Sequence, residues 1–249
     1  MAHEHSPQQN RLLSALSAEV QNRIFPHLKL VELPYGRVLY AAGDAMRQVY
    51  FPIDCIVSLL YLMEDGSSAE VSVVGNEGFI GIALVMGGES TSSQAIVQSA
   101  GHAYCLEGQQ FKDELHRHGE LQVLLLRYTQ ALITQMAQTA VCNRHHSIEQ
   151  QLCRWLLLCL DRLPNNRVIM TQALMASMLG VRREGITEAA GNLQKQGAIE
   201  YRRGHIVVLD RPKLERLCCE CYAVVRKETE RLMPFLTDHQ VGSNTGNTE

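Results

Sequence analysis

Residues 170–209, MTQALMASMLGVRREGITEAAGNLQKQGAIEYRRGHIVVL, leave little choice of fold. Met175, Leu179, Val181, Ile186, Ala189 and Leu193 recur at intervals that bury one face of each of two helices. Ala176 allows the helices to approach closely, and Gly180 tolerates the left-handed backbone of a tight turn between them. The second helix, Arg182 to Gln196, carries Arg182, Arg183, Glu184, Thr187 and Glu188 over its first two turns and stops at Gly197. Ile199–Arg202 and His205–Leu209 then read as strands paired around Arg203-Gly204. This order predicts a winged helix-turn-helix, whose second helix puts its N-terminal end into the major groove of double-stranded DNA. Arg202 and Arg203 on the wing suit the phosphate backbone. A surface helical hairpin with a solvated charged face would account for the charges alone, but turn glycine, buried pattern and basic wing agree on the first reading.

The mean charge conceals this. The chain of 249 residues carries a formal net charge of -3, ordinary for a globular protein of one or two domains. Residues 1–120 hold 7 Lys/Arg against 14 Asp/Glu, whereas residues 171–213 hold 7 against 4. The acidic half is expected to stay away from DNA and the basic segment to approach it. No apolar run reaches the roughly 18 residues of a membrane helix, and the start MAHEHSPQQN lacks a signal-peptide core. A cytoplasmic protein without a membrane partner is expected.

Eight cysteines in that compartment should be reduced thiols. Cys218 and Cys221 have CxxC spacing and would share one face of a helix, with Cys219 between them, which admits a redox dithiol or half of a soft-metal site. One CxxC, without a second pair or a local histidine, does not complete a four-ligand set. These cysteines, and the looser group Cys142, His145, His146 and Cys153, therefore read as small hydrophobes on packing helices, and no metal site is expected.

The rest of the chain divides into segments. Residues 1–25 read as a tail and a short helix. Residues 26–109 hold short strands, VELPYGRVLY, QVYFPI, CIVSLLYLM, AEVSVVG, QAIVQSA and AYCL, punctuated by glycine turns, which predicts a sandwich or jelly-roll β-barrel. Residues 110–146 read as a long helix, Gln110 to Asn143, and a hinge at 143–146. Leu121, Leu125, Tyr128, Leu132 and Met136 belong to an apolar stripe wide enough to pack on the barrel and on a second copy of the same helix, a homodimer. Residues 147–213 open on Ser147 and Gln150, a capping box for IEQQLCRWLLLCLDRL, closed by Pro164-Asn165-Asn166 before the DNA-reading unit. Residues 214–249 read as a C-terminal helix and a disordered tail. The fold class is α+β.

This succession resembles the catabolite-activator and fumarate-nitrate regulator (Crp/Fnr) family of bacterial transcription factors. Gly36-Arg37-Val38-Leu39-Tyr40 with Gly43-Asp44, Val49-Tyr50-Phe51, Gly75 and Gly78-Phe79-Ile80-Gly81 are similar to the family's barrel turns, and Leu179-Gly180-Val181 with Arg183-Glu184 to its DNA-reading signature. The resemblance implies a jelly roll like a cyclic-nucleotide-binding domain, a dimerisation helix, and a homodimer on a palindromic operator that regulates transcription with RNA polymerase as a further partner. It also implies Arg183 as a guanine contact and Glu184 as an acceptor from cytosine. Glu188 replaces the usual second arginine, so a different half-site is expected, with Arg182 and Thr187 as substitute contacts.

The effector side departs from the family pattern. The positions that match the ribose-binding glutamate and the phosphate-binding Arg-Ser pair of its cyclic-nucleotide members are Ile82, after Gly81, and Ser92 with Ser93. No Lys or Arg occurs from Gln48 to Phe111, where seven Asp/Glu fall, and a buried phosphate needs a cation or a cradle of N–H groups. This argues against cyclic AMP. The first cysteine is Cys55, which argues against the N-terminal iron–sulfur sensor, and His102, His116 and His118 are isolated candidates for haem. A sensor of cyclic di-GMP, a haem-bound gas or an oxidant keeps the same fold. A cupin-type metalloenzyme would need several histidines inside the barrel, where only His102 is available, and no enzyme activity is expected.

Overall fold

The computed structural model describes residues 5–163 and 165–236. Two short helices, α1 (Arg11–Ser14) and α2 (Ala18–Ile24), open the chain. The Asn10 side chain caps α1, and its amide donates to the carbonyls of Pro52 and Gly78, both at 2.8 Å. Seven strands follow: β1 (Lys29–Leu33), β2 (Val38–Tyr40), β3 (Gln48–Pro52), β4 (Ile56–Leu62), β5 (Ser68–Val74), β6 (Gln94–Ser99) and β7 (Gly101–Glu107). Proline or glycine stands at or directly after the ends of β1, β3, β5 and β7. They pair antiparallel in two sheets, ordered β1-β7-β3 and β2-β6-β4-β5, with α3 (Ile82–Val85) between β5 and β6. Leu33, Val49, Phe51, Val57, Val97 and Ala103 fill the sandwich between them. VELPYGRVLY, expected as one strand, is two, because the turn at Pro34–Gly36 sends β1 and β2 into different sheets.

The helix expected from Gln110 is also two, α4 (Gly108–Leu115) and α5 (Glu120–His145). His118 turns left-handed at φ 52° and Gly119 starts the new helix. α5 continues through His145, so the hinge expected over 143–146 narrows to His146 and Ser147, both extended. Ser147 and Gln150 form the anticipated capping box, and α6 (Ile148–Leu160) begins at once. Beyond it lie β8 (Arg167–Ile169), α7 (Gln172–Leu179), α8 (Arg183–Lys195), β9 (Ile199–Arg202), β10 (His205–Val208), α9 (Arg211–Leu217) and α10 (Glu220–Leu232). β8 had no clear sequence signal, yet it pairs with β10 to make a three-stranded wing sheet, β8-β10-β9. Pro164 and the expected C-terminal tail from 237 onward lie outside the described residues.

The dimerisation expectation needs correction. Leu121, Leu125, Tyr128 and Leu132 are buried inside the subunit, and Met136 packs partly buried against the same core. The Tyr128 ring lies 5.3 Å from Phe79 and fills the space over Gly78, where a methyl group would collide with it. The apolar face that α5 leaves exposed is a different one: Val123, Leu126, Ile133 and Val141. The stripe is wide because the barrel and α10, which runs along α5, both need apolar neighbours.

One buried side chain joins the segments. Arg162, just past α6, donates from Nε to Glu77 Oε1 at 2.7 Å, from Nη1 to the Leu158 carbonyl at 2.6 Å and from Nη2 to Gln135 Oε1 on α5 at 3.1 Å. Gln135 in turn donates to the Val73 carbonyl on β5 at 3.2 Å. Glu77 belongs to the turn after β5, so barrel, long helix and α6 share one polar cluster. Removing one partner of such a pair leaves the other charge buried alone. Arg162→Ala is expected to lower unfolding free energy by about 3–5 kcal/mol, whereas a surface control such as Arg117→Ala should change it by under ~1 kcal/mol. Urea denaturation followed by tryptophan fluorescence of Trp155 measures both.

Candidate nucleic-acid interface

α7 starts where the Thr171 hydroxyl accepts the Leu174 N–H at 3.2 Å, and it ends at Gly180. Gly180 has φ 64°, which lets the Val181 N–H reach back to the Ala176 carbonyl at 2.9 Å. The chain reverses and α8 begins after Arg182. Ile186, Ala189, Ala190 and Leu193 bury one face of α8 in a core that includes Met175, Met178, Leu179 and Trp155. Gly185 lies on α6, since a methyl group there would meet Ile148 Cδ1 at 2.5 Å.

The opposite face is free. Arg182, Arg183, Glu184, Thr187 and Glu188 are not buried, and among the described residues the side chains of Arg182, Arg183, Glu184 and Glu188 take part in no hydrogen bond or ion pair. Arg182 is the N-cap residue and supplies no capping side chain, so the positive end of α8 is open. The Thr187 hydroxyl lies 3.0 Å from both Gln172 Oε1 and the Arg183 carbonyl, and its single proton serves one of them. On the wing, Arg202 pairs with His205 across a two-residue turn in which Arg203 and Gly204 both have positive φ, 49° and 84°. The Met170 N–H donates to the Gly204 carbonyl at 2.7 Å, which fixes the turn against the start of α7. Arg202 and Arg203 are exposed and unpaired among the described residues. Sequence reading missed a groove between α8 and β9, lined by Gln172, Thr187, Gly191, Gln194, Lys195 and Tyr201. Its signal was the helical spacing that puts Gly191, Gln194 and Lys195 on the face of Thr187.

Two family models match: the cyclic nucleotide-binding domain over residues 30–118 and the Crp-like helix-turn-helix domain over residues 150–217. The chain belongs to the Crp/Fnr family. It is thus a transcription regulator with a helix-turn-helix DNA-binding domain, and not an enzyme by descent. The fold is similar to that of a Crp/Fnr-family putative transcriptional regulator from Eubacterium rectale (TM-score 0.62, 16% identity, 84% of this chain and 98% of that one). It is also similar to the c-di-GMP-responsive global regulator of Xanthomonas campestris (TM-score 0.61, 14% identity, 78% and 100%). A third is a Crp/Fnr-family regulator of Thermus thermophilus (TM-score 0.60, 20% identity, 76% and 97%). No curated protein sequence matches the chain. No helix among the described residues is long and apolar enough to cross a membrane.

Within this Crp/Fnr barrel the four expected effector positions are not equivalent. Gly81 has φ 125° and sits against Val49, whose Cγ1 would be 2.6 Å from an added Cβ. Ile82 starts α3 half-buried, Ser92 is exposed, and Ser93 is buried, with Thr91 Oγ1 3.1 Å from its hydroxyl. Lys112 on α4 reaches the Gly87-Gly88 loop from outside the cation-free span, and Glu89 holds it in an ion pair. The histidines weighed for haem are apart: His102, on β7, lies 3.3 Å from Asp54 Oδ2, while His116 and His118 line a groove beside α4. The cysteine expectation is corrected too. Cys218 ends α9 and Cys219 caps α10, both extended, so Cys218 and Cys221 do not share a helix. Cys219 and Cys221 instead meet Cys142 and His146, which supplies the histidine the sequence did not show; Cys153 joins the α6 core.

The DNA-binding unit rests on the outer face of the barrel. Ile56, Leu60 and Val73 share a core with Leu152 and Trp155, and Ser68 bonds Ser177 of α7 at 2.7 Å. Glu70 is buried at this junction. Trp155 Nε1 donates to its Oε1 at 2.9 Å, and Ser58 Oγ lies 2.6 Å from its Oε2 and 2.7 Å from Gln98 Oε1. Ser58 has one proton for two acceptors, so a protonated Glu70 satisfies the whole chain. Burial raises the Glu70 carboxyl to about 7, against hydrogen bonds from Ser58 and Trp155 and the charges of Arg154 and Arg162, which lower it. The folded protein therefore keeps a proton that the unfolded chain releases from the ordinary carboxylate value upward. Stability is expected to fall as pH rises from about 4.5 to 7, by on the order of 3 kcal/mol, and then to level. Glu70→Gln should flatten that slope in urea denaturation measured from pH 5 to 8.

Proposed function

We propose that the protein is a homodimer that reads a two-fold symmetric operator through α8 and the β9-β10 wing, in response to a signal other than cyclic AMP. The observation that carries this reading is the set of unpaired cations in a Crp-like helix-turn-helix domain: Arg182 and Arg183 at the open N-terminus of α8, and Arg202 and Arg203 on the wing. Phosphate contacts from the wing would position the protein, and Arg183 with Glu184 would specify bases. Glu188, exposed one turn later, repels phosphate and cannot contact guanine as arginine does, which favours an altered half-site.

A second copy is the partner we assign to the exposed face of α5. Val123, Leu126, Gln130, Ile133, Ala137 and Ala140 are exposed at alternating three- and four-residue steps, the seam of a two-stranded coiled coil. Two such helices would set the two copies of α8 on one side of the dimer, spaced for half-sites about one turn, roughly 10 bp, apart. RNA polymerase is the further partner proposed from membership of the family. For the signal, the absence of Lys and Arg from Gln48 to Phe111 and the pairing of Lys112 with Glu89 weigh against a cyclic-AMP phosphate site. The cyclic di-GMP response of the Xanthomonas regulator is a precedent for another signal on this fold.

Binding-site selection on randomised DNA tests the reading. Arg183→Ala should cost about 1–3 kcal/mol per half-site and relax preference at one base pair, whereas Arg202→Ala should weaken all sequences alike and reduce the salt slope by about one. An unchanged preference for Arg183→Ala would remove it as a base reader. For the dimer, Leu126→Glu and Ile133→Glu should give folded monomers in sedimentation velocity, since each puts a charge into the seam. Leu132→Glu, by contrast, should unfold the subunit.

A further inference from the structure

Four soft donor atoms from two distant segments converge beside the break between α5 and α6. Cys142 lies in the last turn of α5 and His146 follows directly after it; Cys219 is the N-cap of α10 and Cys221 lies in its first turn. Their donor atoms all lie within 4.8 Å of one another. Cys142 Sγ is 3.6 Å from Cys219 Sγ, and Cys221 Sγ is 3.4 Å from His146 Nδ1. Zinc held tetrahedrally at about 2.3 Å from sulfur and about 2.0 Å from nitrogen places neighbouring donors roughly 3.5–3.8 Å apart. The cluster has the dimensions of a single ion. An iron–sulfur cluster distributes its cysteines over more than one iron and needs a wider spread.

We infer that Cys142, His146, Cys219 and Cys221 form a structural zinc(II) site that ties the end of α5 to the start of α10.

The surroundings support this assignment independently of the donors. His146 Nε2 lies 3.3 Å from Glu220 Oε2, so the carboxylate takes the ring's second nitrogen and leaves Nδ1 to face the thiols, as histidine ligands commonly require. Gln138 Nε2 is 3.1 Å from Cys221 Sγ and donates to it, which favours thiolate. Arg154 is almost fully buried; its Nη1 donates to Thr139 Oγ1 at 3.1 Å, while its Nε has no hydrogen-bond partner among the described residues. Thr139 lies one turn before Cys142 on α5, which brings the guanidinium to the donor cluster. Three thiolates around a divalent cation carry one net negative charge, the counterion that this buried guanidinium needs. The thiol protons leave as the metal enters. Cys142, Cys219 and Cys221 are buried, and four protein donors complete the tetrahedron with no position open for a substrate.

The test uses the full chain, purified without a metal-affinity tag or chelator. Elemental analysis and native mass spectrometry are expected to find one zinc per subunit. Replacing the zinc with cobalt(II) should give thiolate-to-cobalt charge-transfer absorption and the intense visible bands of a tetrahedral site. Cys219→Ser should lose the metal, while Cys218→Ser and Cys153→Ser, outside the donor set, should keep it. Because buried-cysteine variants can misfold for other reasons, His146→Gln provides a second arm: it should keep the fold by circular dichroism and lose cobalt affinity by at least about tenfold. Hydrogen exchange of the unsubstituted protein should slow on zinc binding at residues 138–148 and 218–224 together. A metal-free protein that takes up no cobalt, octahedral cobalt spectra, an intact mass showing a Cys142–Cys219 disulfide, or equal metal loss in Cys218→Ser and Cys219→Ser would each overturn the assignment. None of these readouts involves DNA, so failure here leaves the operator-binding reading untouched, and failure of that reading leaves this one standing.

Discussion

The buried guanidinium of Arg162 is the constraint on which the arrangement of the molecule depends. A charge removed from water must be matched nearly completely, and here its partners come from the turn after β5, from α5 and from the last turn of α6. Hydrophobic contact alone would let these pieces slide, because apolar attraction has little direction. Three hydrogen bonds to three elements do not. The neighbouring Gly75 has no room for a side chain, since a Cβ would come within 2.6 Å of Arg162 Cβ, so the turn and the arginine fit only each other.

From that point the long helix acquires two different tasks. Its inner face completes the barrel core through Leu125, Tyr128 and Leu132, and its outer face leaves Val123, Leu126 and Ile133 exposed. The DNA-binding unit is held on the barrel by a second core and by the Glu70–Trp155 bond. The acidic barrel and the basic winged unit are therefore in contact through an apolar junction.

Much of this was legible in the sequence where one residue type answers one local demand. Gly180, the Ser147–Gln150 box and the Arg203-Gly204 turn could be placed because φ, capping and turn type are properties of a few neighbouring residues. Most of the barrel strands followed from glycine punctuation in the same way. What could not be read was which of two apolar faces meets which neighbour. Leu132 and Ile133 are adjacent and both apolar, and only the tertiary structure buries one and exposes the other. The cysteines failed for a related reason: CxxC spacing directed attention to Cys218, but a helix break turns it aside and brings in Cys142 and His146 from more than seventy residues away. β8 was missed because three residues with one buried side chain carry almost no periodicity.

The break at His146 and Ser147 is only two residues long, and α6 is thirteen. At 1.5 Å per residue α6 is a rigid arm about 20 Å in length. Just past its far end, Arg162 is bonded to Glu77 and Gln135, so that end is tied to the barrel and to α5 while the near end meets the break in the chain. Ile148 of that arm touches Gly185 in the first turn of α8. The joint and the first turn of α8 are therefore in direct contact, and a shift of the chain at His146 and Ser147 reaches α8 through one side chain without travelling along the pinned length of α6.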